Sequence, residues 1–88
     1  MNERMKFWLV EFSNGERMAR ISRYDAWRSG AEYIKNTYDT LVAEAETVGE
    51  KMNLKIEEFT ALTEFKAAAR EGNFECDCLV RVTEVEVY

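Results

Sequence analysis

The segment Lys6-Phe7-Trp8-Leu9-Val10-Glu11-Phe12-Ser13-Asn14-Gly15-Glu16-Arg17-Met18-Ala19-Arg20-Ile21-Ser22 decides how this chain is read. Aromatic and β-branched residues crowd Lys6–Ser13, and such residues suit a pleated, half-buried surface. Asn14-Gly15 follows, and both types accept the positive φ that the two central positions of a type I′ turn require. The pattern predicts a hairpin with a two-residue loop and a return strand over Glu16–Ser22. With Ser13 opposite Glu16, Phe12 faces Arg17, Val10 faces Ala19 and Trp8 faces Ile21. That face is apolar and is expected to meet the core. The opposite face carries Phe7, Leu9 and Glu11 with Met18 and Arg20, which is greasy for a solvated side of a sheet.

Downstream, Ser22-Arg23-Tyr24-Asp25 has the form of a capping box, with serine at the N-cap and an acidic residue three positions on. Trp27, Ala31, Ile34, Tyr38, Leu41, Ala45, Val48 and Met52 then recur alternately every four and three residues, a helical period. An unbroken helix through this stripe would be about 42 Å long, against about 25 Å for the hairpin strands. The helix must therefore overhang the sheet or break, and Asn36-Thr37 and Thr47–Gly49 are the weak points. Asn53 can cap a second helix over Leu54–Arg70, with Ile56, Phe59, Leu62, Phe65 and Ala69 on one face and Gly72 just beyond its end. A strand over Lys55–Phe65 competes with that reading. Phe74–Tyr88 reads as strand throughout. Phe74, Cys76, Cys78, Val80 and Val82 alternate on one face before the apolar set moves to Val85 and Val87, which predicts a bulge near Thr83-Glu84. The expected architecture is α+β in the order β-β-α-α-β: an antiparallel three-stranded sheet, made of the N-terminal hairpin plus the C-terminal strand, with two helices, the first long, on one face.

Eighty-eight residues at 10.3 kDa fit one small domain over 1–88. The net charge is −5, unevenly spread: residues 1–35 carry seven basic and five acidic side chains, residues 36–88 five basic and twelve acidic. Acidic charge repels phosphate backbones and anionic lipid. No apolar run approaches the roughly 18 residues of a membrane span, and no signal-like segment follows the first charges, so a cytoplasmic protein without membrane contact is expected.

Catalytic chemistry finds little to work with. Histidine, the commonest general base, is absent, so Ser13, Ser22 and Ser29 lack an activating imidazole. Four glycines form no phosphate-binding loop. Cys76-Asp77-Cys78 has C-x-C spacing where zinc knuckles use C-x₂-C, and no second pair could complete the sphere. Both cysteines are expected to pack as small hydrophobes. The carboxylates of the second half read as a solvated helix face, or as an acidic patch steering the chain onto a basic groove. No catalytic residue, metal or cofactor is expected.

What remains is a surface. Phe7, Leu9 and Met18 beside Arg20, with Arg17 and Arg23 at the margin, combine the aromatic, methionine and arginine types enriched at interface cores. The expectation is a non-enzymatic protein-interaction module that occupies a partner's surface. A homodimer would form through the Trp27–Met52 stripe or the outer sheet face. Nucleic acid ranks below protein: that alternative is a dimeric nucleic-acid-binding or regulatory module using Arg17, Arg20, Arg23 and Arg28. No motif ties the chain to a family. In type alone, a short acidic α+β chain without catalytic residues resembles the small inhibitors that bacteriophages encode against host defences, such as anti-CRISPR and anti-restriction proteins. The likeness rests on size and on what is missing, and no site carries over from it.

Overall fold

A computed structural model describes residues 5–87. In chain order they form β1 (Met5–Phe12), β2 (Arg17–Arg20), α1 (Arg23–Glu44), α2 (Val48–Ala68), β3 (Phe74–Cys76) and β4 (Val80–Val87). The four strands make one antiparallel sheet in the order β2-β1-β4-β3. The class is α+β as expected, but the sheet has four strands where three were predicted.

The extra strand comes from the tail, which turns at Asp77-Cys78. Both residues take positive φ, 37° and 63°, and the Leu79 amide donates to the Cys76 carbonyl at 2.7 Å. This turn lacks the glycine or asparagine that usually marks such geometry, and apolar alternation runs straight through it. Cys78 consequently sits exposed at the tip, while Cys76 is buried. No bulge interrupts β4: its register with β1 is continuous from Met5 opposite Val87 to Phe12 opposite Val80. Val85 and Val87 simply point to the other face.

The opening hairpin forms, one residue out of the predicted register. Trp8 lies opposite Arg20, Leu9 opposite Ala19, Val10 opposite Met18 and Glu11 opposite Arg17. The loop has three residues. Phe12 donates to the Glu16 carbonyl at 2.9 Å, Gly15 donates to the Phe12 carbonyl at 3.0 Å, and Gly15 takes a φ of 90°. A turn closed by a left-handed glycine is the standard three-residue alternative to the type I′ loop. Here the Asn14 side chain favours it by accepting from the Glu16 amide at 2.9 Å. Because strand side chains alternate, this single-residue slip turns β2 over. Met18 moves to the core side and Ala19 to the outside.

Ser22 caps α1 as predicted, its hydroxyl accepting from the Asp25 amide at 3.1 Å. The long helix breaks at residues 45–47, beside the second weak point. Asn36-Thr37 stays helical, and the Thr37 hydroxyl donates to the Tyr33 carbonyl at 2.8 Å. Thr47 caps α2 by accepting from the Glu50 amide, and the Glu50 carboxylate reaches back to the Glu46 amide at 3.3 Å. Two caps pointing the same way start α2 six residues before the predicted Leu54, so Asn53 lies inside it. Residues 55–65 are helix, not strand. The Trp27–Met52 stripe is therefore folded back on itself and does not run along one rod.

Every buried strand residue lies on one face of the sheet: Val10, Phe12, Phe74, Cys76, Val80 and Val82. They pack with Ala26 and Ile34 of α1 and with Ala61 and Phe65 of α2. Gly30 allows the closest approach, since a Cβ there would lie 2.6 Å from the Phe65 ring and 3.0 Å from Val80. α1 lies over β1, β2 and β4, whereas among the described residues α2 meets the sheet only at β3. Each helix is about 33 Å long, against about 27 Å for the longest strands. The distal part of the helix pair thus projects as an arm, and the molecule measures 60 × 23 × 16 Å.

Candidate partner-binding surfaces

Among the described residues no helix lies over the outer sheet face. Alternation places Met5, Phe7, Leu9, Val85 and Val87 on it, and extends to Ile21 just past β2. Phe7, Leu9 and Val85 shield one another to half-burial, while Ile21 is 84% and Met5 71% exposed. Around Glu11 the face turns polar, with Arg81, Glu75 and Arg17.

The predicted site residues are divided by the hairpin slip. Phe7 and Leu9 stand on the outer face with Arg17. Met18 faces inward and packs against the core. Arg20 is on the helix side, its Nε donating to the Ser29 hydroxyl at 3.0 Å. Arg23 donates to the Arg70 carbonyl at 3.0 Å, and Arg28 lies further along α1. Arg17 is thus set apart from the other arginines, whereas Arg20 and Arg28 share a hollow with Asp25, Ser29 and Glu32, and Arg28 and Arg23 border adjoining hollows beside α1. The outer face is nevertheless larger than expected, because Val85 and Val87 join it. Their shift in alternation was the signal, and it marks a second apolar face rather than a bulge.

The helical arm carries a surface that sequence reasoning missed. Along α2, Leu54, Ala61, Phe65 and Ala68 turn toward the core side. Val48, Met52, Ile56 and Phe59 follow steps of four, four and three on the opposite side, and they are 74%, 59%, 61% and 72% exposed. α2 is therefore apolar on two opposite sides, of which one meets the core and the other is exposed. Phe59 also borders an open groove between the helices of about 570 Å³, lined by Trp27, Ala31 and Leu62 with Arg28, Lys35 and Lys66 at its rim. A second hollow continues it past Trp27 and Lys66 to Tyr24, Arg23 and Arg70.

Among the described residues no group of three or more histidine, cysteine or acidic side chains is placed to hold a metal, and no helix is long and apolar enough to cross a membrane. The two thiols differ in character. Burial, and secondarily the charges of Asp77 and Glu64, push the Cys76 pKa up. Native protein treated with iodoacetamide near pH 8 is expected to be alkylated at Cys78 and spared at Cys76, read by peptide mass spectrometry. The raised pKa also fixes a sign. The folded state holds the Cys76 proton more tightly than the unfolded chain, so its contribution to stability is complete below the unfolded thiol pKa and declines as pH rises through it.

Comparison with protein-family models, with curated proteins and with solved structures found no match to this chain.

Proposed function

We propose that the chain is a non-enzymatic protein-interaction module that acts by occupying a partner protein's surface, docking through the outer sheet face. The observation that supports this most directly is the contiguous apolar set Met5, Phe7, Leu9, Ile21, Val85 and Val87 on a face with no helix over it. Such a patch covers several hundred Å², which in small proteins commonly marks an interface. Size, acidic charge and class agree with the phage-inhibitor type, working in the cytoplasm on a host defence or nucleic-acid-binding complex. A nucleic-acid-binding module built on the N-terminal arginines draws less support, because Arg17 stands on the outer sheet face and Arg20 and Arg28 share their hollow with Asp25 and Glu32.

Leu9→Glu puts a charge at the centre of the patch on a half-exposed site. The expected result is unchanged circular dichroism with loss of the partner captured by wild type from nuclease-treated host lysate. If the partner is a second copy, the loss appears as a fall in sedimentation coefficient to that of the monomer. Capture and sedimentation both matching wild type in a folded variant would sink the reading.

A further inference from the structure

From the arm, and independently of the sheet face, we propose a second interaction surface: the groove face of α1 and α2 receives an acidic amphipathic helix of a partner protein. The reasoning starts from charge. The two adjoining hollows are lined by five cations, Arg23, Arg28, Lys35, Lys66 and Arg70, and by one anion, Glu32. The chain as a whole has seventeen acidic and twelve basic residues, so this face runs against the composition of the molecule. No ion pair to Arg28, Lys35, Lys66 or Arg70 forms among the described residues. The helical period sets Lys51 and Lys55 beside the exposed stripe as well, while Glu50, Glu57 and Glu64 fall seven residues apart on the far edge of α2. Cations thus outnumber carboxylates on the groove side, where Glu32 lines the groove and Glu58 falls near Lys51 and Leu62 on α2.

The floor supplies anchors. Trp27 and Tyr24 pack with ring centroids 5.7 Å apart and planes tilted by 43°, and Phe59 stands exposed across the groove from them. Tryptophan, tyrosine and arginine are the residue types that dominate binding hot spots. On α2 the groove lining runs from Phe59 to Arg70, a rise of about 16 Å, which matches three turns of a partner helix laid along it. A partner with apolar residues at i, i+3 or i+4 and i+7, flanked by Asp and Glu, would cover Phe59, Leu62 and Trp27 and oppose the lysines and arginines of the groove. A second copy of this chain fits less well. In an antiparallel pairing of the stripe with itself, Lys51 and Lys55 would meet the partner's equivalents, and like charges there are repulsive.

The test is a selection from a ribosome-displayed library of random 16-residue peptides on the wild-type protein, followed by synthesis of the enriched sequences. Enrichment of peptides that are net acidic and apolar at helical spacing is expected, with helical dichroism gained on binding. Their affinity should fall at least tenfold on Arg28→Glu/Lys66→Glu and on Phe59→Ser, and should be unaffected by Leu9→Glu, which separates this surface from the sheet face. Arg28, Lys66 and Phe59 are solvent-facing, and Leu9 is half-buried. Should one variant misfold, Lys35→Glu/Lys55→Glu makes the same charge test. Enriched peptides without acidic bias, binding that survives the double reversal, or no peptide enrichment would each overturn the proposal. So would binding of a twenty-residue oligothymidylate in place of peptides, which would give the face to single-stranded nucleic acid.

Discussion

Gly30→Val is expected to lower stability by about 3 kcal/mol, the upper part of the range for inserting atoms into a packed core. Helix propensity alone gives the opposite sign, since glycine in a helix interior is about 1 kcal/mol worse than alanine and valine is better than glycine. Packing wins because the space does not exist. The Cβ alone would stand 2.6 Å from the Phe65 Cζ and 3.0 Å from a Val80 methyl, and both neighbours are fully buried. The ring cannot swing away, because Phe74 stands against it with centroids 5.1 Å apart. In a chain of this size each kcal/mol moves the melting temperature by roughly 4–8 °C, so a fall of about 12–24 °C is anticipated. Gly49, in the first turn of α2 with nothing within 4 Å of its Cβ, is the internal control. Gly49→Ala should raise stability by about 0.5–1 kcal/mol. Equal signs for the two substitutions would show that α1 and α2 do not meet at Gly30.

Phe65→Ala is expected to cost about 3–5 kcal/mol, most of what a domain of this length possesses. Phe65 is the largest fully buried side chain and the point where α1, α2 and β3 converge. Since among the described residues α2 reaches the sheet only at β3, losing this ring weakens the attachment of the helix to the sheet as well as removing filling volume. Urea unfolding monitored by circular dichroism should show a midpoint near zero denaturant at 37 °C. Phe59→Ala, on the same helix and six residues earlier, should stay within about 0.5 kcal/mol of wild type, because its ring is already in water. A small effect at Phe65, or a large one at Phe59, would reverse the assignment of the two sides of α2.

These contrasts show which parts of the fold local chemistry writes into the sequence. The Ser22 cap, the hairpin, the helical content and the strand nature of the tail all follow from neighbours within a few residues. The hairpin register depends on whether Asn14-Gly15 closes as two residues or, with Ser13, as three. The Asn14 carboxamide decides that through a single hydrogen bond to Glu16. The consequence for the candidate site is disproportionate, because parity assigns every side chain of β2 to a face: Phe7 and Leu9 were readable as outward, Met18 and Arg20 were not. The turn at Asp77-Cys78 was hidden for another reason. Asp77 is of a type that tolerates the left-handed region, but Cys78 is not, and the pair is held there by the pairing of β3 with β4. The exposed stripe of α2 was obscured because Val48 and Met52 continue the period of α1. Only the bend at 45–47 shows that they belong with Ile56 and Phe59. The usable signal was that Leu54–Ala68 already supplies one apolar side, leaving Ile56 and Phe59 as a surplus.

The bend at residues 45–47 has a bearing on how the protein comes apart. It lies at the far end of the arm, and no residue from Lys35 to Thr60 is fully covered. Local opening should begin there and travel inward until it reaches Ile34 and Ala61, the first residues enclosed on all sides. A glutamate-specific protease should accordingly nick the native chain first at Glu44 or Glu46, leaving two fragments that stay together through Phe65 and the strands until denaturant is added.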